Sequence, residues 1–360
     1  MKRVALCTLL SLLTVGANAP DAPAPFPSTL ITSTIQKQLD DTMALAISVA
    51  IVRNGSIIYQ RAFGVKDRER KLPAGIHTRF EIGSITKQFT AAAILQLKEQ
   101  GRLSLDDRLV KYVPEFPHAD ELTLRQLLNQ TSGLFEFMQT NHFIAMARTP
   151  GNFKRIEGLV RAPLHFAPGT QWEYSNTNYI ALGRVVEIVS GQPFEKYVRQ
   201  HLFMKAGMGE SSTIDHEARI KDMARSYWRG RKNDQPLAPA PPLGGTWAGP
   251  AGFIVSSAGD LAKWDVALQS GKIISASDFA LMTTPPTLGN GRAGDYGMGW
   301  WIDKVREHQR FDHDGDTFGF SSSNWIFPGD DLCIIVLQNE PNDAAARSAR
   351  KIFDTLYPAT

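Results

Sequence analysis

The sequence predicts an α/β (α+β) fold in which one antiparallel sheet is built from both ends of the chain. Three observations point there. Apolar strand-like runs cluster near the two termini, helical patterns fill the middle, and a helix pattern opens and closes the folded part. The predicted unit spans 28–360, with a sheet subdomain over about 28–80 and 276–360 and an inserted helical subdomain over about 81–275. With 360 residues, 43% hydrophobic and 21% charged, the chain has ordinary globular composition and enough length for a substantial core. A collagen, a disordered tail and a polytopic membrane protein are excluded on the same grounds.

The chain begins with an export pattern. Lys2 and Arg3 form a charged start, Val4 to Val15 an apolar run too short to span a bilayer, and Ala17-Asn18-Ala19 a small-x-small cleavage site. Residues 1–19 are read as a signal peptide and 20–27 as a Pro-rich leader, so the mature protein is expected to be exported, periplasmic or secreted, without stable membrane insertion. The formal charge of +3 falls to about +1 once Lys2 and Arg3 are removed. No basic stripe stands out, so no nucleic-acid partner is expected. Of the two cysteines, Cys7 lies in the apolar run of the signal peptide. Cys333 lies in Leu332-Cys333-Ile334-Ile335-Val336-Leu337, a buried-strand pattern, and is expected as a buried free thiol.

Element by element, Leu30 to Met43 reads as a helix. Ala46 to Val52 and Ile57 to Phe63 are strands turned at Asn54-Gly55, a strong hairpin signal. Ser84 to Gln100 is a helix stopped by Gly101. Leu122 to Leu128 and Tyr179 to Val189 are helical pieces among Pro- and Gly-broken loops. Gly297 to Ile302, Phe318 to Ile326 and Leu332 to Gln338 return to strand, and Ala344 to Leu356 closes as a helix.

Three segments carry chemistry. Ser84-Ile85-Thr86-Lys87 puts a hydroxyl and an amine on one helix face. A serine needs a base within reach, and a desolvated lysine supplies one because burial lowers its pKa. A second match, Ser348-Ala349-Arg350-Lys351, reads as a solvated helix face. Tyr174-Ser175-Asn176 sits in a turn-rich loop before a helix, where a phenol beside two cations can ionise and act as general base and an amide can hold a substrate carbonyl and the lysine. His313-Asp314-Gly315-Asp316 enters a strand, and its glycine permits close backbone approach. Each segment alone has a bland explanation: a helix cap, a buried tyrosine, a polar turn.

Together and in this order, the three resemble the signature of the serine β-lactamase and penicillin-binding-protein superfamily. The chain looks closest to the branch holding class C β-lactamases, DD-carboxypeptidases, D-aminopeptidases and esterases. Phe80 to Lys87, Leu127 to Leu134, Ala167-Pro168-Gly169 and Ala251 to Leu261 also look like family segments. The resemblance implies a β-lactamase/transpeptidase-like fold; no cofactor and no metal are expected. It implies Ser84 as the acylated nucleophile, with Lys87 and Tyr174 sharing the base work. Asn176 would orient Lys87 and the substrate, and His313 would support the Tyr174 oxygen. The backbone N–H groups of Ser84 and Asp316 would form the oxyanion hole, with Gly315 and Asp314 beside the substrate.

Two departures stand out. The third motif is His-Asp-Gly rather than Lys-Thr-Gly, so a titratable histidine and an acceptor-only carboxylate replace the groups that meet a β-lactam carboxylate. Gln130 stands where relatives often carry histidine. Asp316 adds a second acid, and acids opposing a substrate carboxylate would cost binding, so a neutral ester or amide, or a substrate with a free amine, fits better. With the resemblance, this gives the expectation of a serine hydrolase acting through an acyl-enzyme on a small ester or amide, of esterase or D-amino-acid peptidase type. The alternatives are a β-lactamase or DD-carboxypeptidase, and a slow-acylating sensor without turnover. Asp312-x-Asp314-x-Asp316 mimics a calcium loop, but Thr317 and Ser323 stand where that loop needs Gly and Glu. No Gly-x-Ser-x-Gly elbow occurs, which disfavours a Ser-His-Asp hydrolase. Small molecules or peptides are the expected partners; loops around Met138 to Lys154 and Lys232 to Trp247 are expected to set specificity.

Overall fold

The computed structural model describes residues 26–41, 45–139, 162–213, 220–228, 236–240, 249–340 and 343–358. The signal sequence, Cys7, nearly all of the Pro-rich leader and most of the two specificity loops lie outside the described residues. Helix α1 (Ser28–Asp41) leads into strands β1 (Ala46–Arg53), β2 (Ser56–Asp67) and β3 (Leu72–Pro73). Helices α2 (Thr86–Glu99), α3 (Asn176–Ser190) and α4 (Ala258–Gln269) occupy the middle. Strands β4 (Trp301–Val305), β5 (His308–Thr317), β6 (Phe320–Phe327) and β7 (Leu332–Gln338) follow, and α5 (Ala344–Leu356) ends the fold.

The seven strands form one sheet in the order β3-β2-β1-β7-β6-β5-β4. The two ends of the chain meet at β1 and β7, which pair antiparallel from Ile47 opposite Gln338 to Arg53 opposite Leu332. Alternation along these strands divides the core in two. Ile47, Val49 and Ile51 of β1, with Ile334 and Val336 of β7, pack against Ile31 and Ile35 of α1 and Ile352 and Phe353 of α5. Ala50 and Val52, with Cys333, Ile335 and Leu337, face the central helices and join the larger core around Phe89 and Trp264. Each large apolar side chain buried this way stabilises the fold by roughly 1.5–3 kcal/mol.

Several elements differ from the sequence reading. A separate strand, β5, covers His308–Thr317, where alternating charged and aromatic residues hide the pattern, and β4 starts at Trp301 rather than Gly297. Ser348 is buried rather than solvated: its hydroxyl donates to Gln38 and accepts from Gln338, while Lys351 is exposed. Cys333 is a buried free thiol, with Gln269 Nε2 3.4 Å from its sulfur. Among the described residues no helix is long and apolar enough to cross a membrane.

Helix α2 is the spine of the molecule. Residues 86–97 are all buried, so its polar side chains require partners. Thr86 accepts from the Ile254 amide, Thr90 donates to the Pro250 carbonyl, and Gln88 accepts from the Trp264 indole. The turn before α2 is welded to β5. Ser322 donates to the Ile82 carbonyl at 2.8 Å, and a Cβ on Gly315 would lie 2.1 Å from that same oxygen. Gly315→Ala should therefore force β5 off this turn and cost about 2–4 kcal/mol. Denaturant unfolding checks this; a variant with wild-type stability would contradict the packing described.

Candidate active site

Ser84 sits in a single 3-10 turn (Gly83–Ile85) directly ahead of α2, and Lys87 is the second residue of that helix. Three residues of spacing place the two side chains together, with Lys87 Nζ 3.0 Å from Ser84 Oγ. The hydroxyl is not a helix cap: the residue capping α2 is Ile85, with no side-chain bond. Gly83 has φ +48, and a Cβ there would lie 3.0 Å from the Asp316 nitrogen. Only glycine lets this turn lie so close to the end of β5.

Lys87 is fully buried. Besides Ser84 it touches Asn176 Oδ1 at 2.7 Å and the Ala251 carbonyl at 2.9 Å. The Ala251 carbonyl reaches it because the turn Gly249–Ala251 packs tightly on α3, where a Cβ on Gly183 would lie 2.0 Å from Pro250. Burial lowers the Lys87 pKa to about 7, opposed by the negative charge of Glu136.

Tyr174 lies in the loop before α3 and donates to Ser84 Oγ at 2.8 Å. Burial pushes its pKa well up; the bond to Ser84 pulls the other way, and the Glu136 charge adds to the rise. The phenol therefore keeps its proton at neutral pH. Its ring is stacked on Trp301 at 6.4 Å and 6°, and meets Tyr296 edge-on at 6.1 Å. Trp172 lies against Trp301 at 5.1 Å, which extends an aromatic wall beyond Tyr174.

Asn176 opens α3. Its Oδ1 faces Lys87, and its Nδ2 faces Glu136 Oε1 at 3.3 Å and the Met138 sulfur at 3.1 Å. Gln130 braces the same turn: its Oε1 accepts from the Ser175 amide and from Asn178 Nδ2.

The third motif departs from the expectation in two ways. His313 is buried on the face of β5 toward Tyr174, but its hydrogen bonds among the described residues go elsewhere; the two ring centres lie 6.1 Å apart. Its Nδ1 lies 2.6 Å from the Asp314 carbonyl and its Nε2 2.9 Å from the Tyr296 hydroxyl. A carbonyl only accepts, so Nδ1 is assigned the proton and Nε2 accepts from Tyr296. Burial, helped by the Lys87 charge and opposed by the Asp314 carbonyl, lowers the His313 pKa to about 3. The imidazole is neutral.

The acids of the motif do not face the cleft either. Asp314 alternates to the other face of the sheet, where its Oδ1 accepts from Ser323 at 2.5 Å. Asp316 follows it there and reaches the Asp343 amide at the start of α5, at 3.4 Å. The charge opposition expected from Asp314 and Asp316 is therefore absent from the cleft, and only their backbone remains near Ser84.

The sequence reading missed Glu136, Tyr296 and the Ala251 carbonyl. A main-chain acceptor leaves no side-chain signature. Glu136 had a usable signal, since a buried lysine calls for a nearby counter-charge. Tyr296 had none.

The Beta-lactamase family model matches residues 31–357. The putative penicillin-binding protein PbpX of Bacillus subtilis is 32% identical over 298 residues, covering 82% of this chain and 70% of that protein. The octameric penicillin-binding protein homologue of Pyrococcus abyssi superposes with a TM-score of 0.78 at 26% identity, covering 92% of this chain and 77% of the other. A D-stereospecific amidohydrolase from Streptomyces sp., at 24% identity, covers 92% of this chain and 99% of its own with a TM-score of 0.79, and so shares the fold. The chain belongs to the Beta-lactamase family, within the superfamily of serine β-lactamases and penicillin-binding proteins.

Proposed function

We propose that this protein is a serine hydrolase that cleaves a small neutral ester or amide through an acyl-enzyme on Ser84. The observation that carries the reading is the bracketing of Ser84 Oγ by a buried amine at 3.0 Å and a protonated phenol at 2.8 Å. When Lys87 is neutral, its two N–H bonds satisfy Asn176 Oδ1 and the Ala251 carbonyl, which leaves its lone pair for the Ser84 proton. Lys87 is then the base and Tyr174 the acid.

In acylation, Ser84 Oγ attacks the acyl carbon and its proton passes to Lys87. Collapse of the tetrahedral intermediate breaks the bond to the leaving group, which takes the Tyr174 proton. Lys87 gives up its proton to restore the phenol. Water then repeats the sequence on the ester bond to Ser84 and releases the acid. The backbone N–H groups of Ser84 and Asp316 would hold the carbonyl oxygen, a contribution of about 3–4 kcal/mol per donor where measured in such sites.

Substrate class follows from charge. Phe311, His313, Gly315 and Thr317 alternate along the face of β5 that carries His313, and none of them is a cation at neutral pH. A substrate carboxylate would lose its hydration there without gaining an opposite charge. The aromatic wall of Tyr174, Trp301 and Trp172 suits an apolar acyl donor instead. A second reading, cell-wall peptide or β-lactam as acyl donor, is favoured by the relatives named as penicillin-binding proteins. A slow-acylating sensor would stop after one equivalent of product.

Side-by-side assays of a p-nitrophenyl ester, a D-amino-acid amide and nitrocefin distinguish these. Repeated turnover of the ester or amide is expected, with nitrocefin at least about a hundredfold slower in kcat/KM, which corresponds to the loss of one charge-assisted contact. Nitrocefin turnover matching the ester would overturn the charge argument. Ser84→Ala should abolish all turnover while leaving the fold intact; surviving activity would refute the site.

The pH profile is a separate test. Protonated Lys87 cannot accept the serine proton, so kcat/KM should be lost as pH falls through about 7. A limb centred above pH 9 would contradict a lysine base of this kind.

A further inference from the structure

We propose that Glu136 is a positioning residue of this site: its carboxylate orients the Asn176 amide toward Lys87 and serves as the counter-charge of the Lys87 amine. The inference rests on the acyl-enzyme reading of Ser84 and extends it to a residue outside the three motifs.

Glu136 is buried, in the loop that follows Gly133. Its carboxylate accepts one hydrogen bond from its own loop and two from Asn176 at the start of α3. Oε1 accepts from Met138 N at 3.0 Å and from Asn176 Nδ2 at 3.3 Å, and Oε2 accepts from Asn176 N at 2.5 Å. An asparagine amide can turn over and present nitrogen where oxygen is needed. A carboxylate has no hydrogen to donate, so Glu136 accepts only Nδ2 and leaves Oδ1 to Lys87. Glu136 thus selects one of two orientations of Asn176.

Charge gives the second half. Lys87 is faced by the phenols of Tyr174 and Tyr179 and by His313. Burial keeps both phenols protonated and His313 neutral. Glu136 is the group whose negative charge acts on Lys87 among the described residues, and the same charge discourages ionisation of Tyr174. One carboxylate therefore pushes both proton-carrying groups in the same direction, toward keeping their protons.

A simpler role is available. Oε2 on the Asn176 amide caps the start of α3, and a carboxylate there stabilises a helix on its own. A cap alone would alter thermal stability and leave the pH dependence of catalysis in place.

The test is the pH profile of ester hydrolysis by the full chain carrying Glu136→Gln or Glu136→Asp, with thermal unfolding of each. In Glu136→Gln the counter-charge is gone, so the acid limb of kcat/KM should move down by about one pH unit. Plateau kcat should fall about tenfold while KM changes by less than about threefold, as expected for a lost orienting contact. Glu136→Asp keeps the charge but withdraws it from Asn176. Its plateau kcat should fall with the limb within about 0.3 unit of wild type.

A Glu136→Gln limb that stays in place or moves up overturns the counter-charge role. If that variant is unfolded, Glu136→Asp decides: a limb held in place with lower kcat supports the proposal, and unaltered kcat overturns it. A wild-type chain without Ser84-dependent turnover removes the acyl-enzyme reading itself. A wild-type limb that both variants leave unmoved removes the counter-charge role of Glu136.

Discussion

The structure is organised around the removal of one amine from water. Lys87 is completely buried in the helix that forms the spine of the molecule. Placing a lysine there with a pKa near 7 instead of 10.5 costs the folded state of order 4 kcal/mol at neutral pH. That cost is carried by the packing around it. The two-sided sheet core holds β5 and α2 in register, glycines at 183 and 315 allow backbone to approach where side chains would collide, and three acceptors receive the amine. A solvated lysine would stay charged and could not take a proton from Ser84.

The same burial separates the roles of neighbouring groups. Desolvation raises the proton affinity of a phenol and lowers that of an amine or imidazole. Tyr174 is thereby kept as a donor, His313 as a neutral acceptor, and Lys87 near the point of releasing its proton. Two of these three touch Ser84 directly. The third lies one step away, tied to Tyr296, and leaves the cleft face of β5 without a positive charge.

The sequence was legible where local chemistry and periodicity agree. The Asn54-Gly55 hairpin, the β7 strand Leu332–Gln338 and the closing helix Ala344–Leu356 carry clear patterns, and the structure has them at those positions. Ser84, Lys87, Tyr174 and Asn176 could be singled out because their spacing in two segments matches a known signature. What could not be read was tertiary. Strand β5 presents Asp, Arg and His where a buried strand would show apolar residues, because its charged side is satisfied by Arg310, Ser323 and the start of α5. Which face each acid takes depends on that register: alternation alone puts Asp314 opposite His313, and the structure adds that Asp314 meets Ser323 and Asp316 meets the start of α5. Glu136 and the Ala251 carbonyl come from loops whose path depends on packing against α3; a buried lysine calls for a counter-charge, but no local pattern says that Glu136 supplies it.

The most direct measurement is the titration of Lys87 itself, by carbon NMR of lysine labelled at the ε-carbon, with Lys87→Met used to assign the signal. A midpoint near 7 is expected for this one amine, well below the ordinary lysine value of about 10.4. A Lys87 signal that titrates with the exposed lysines would show that the amine is charged at neutral pH, and the base assigned to Ser84 would be lost.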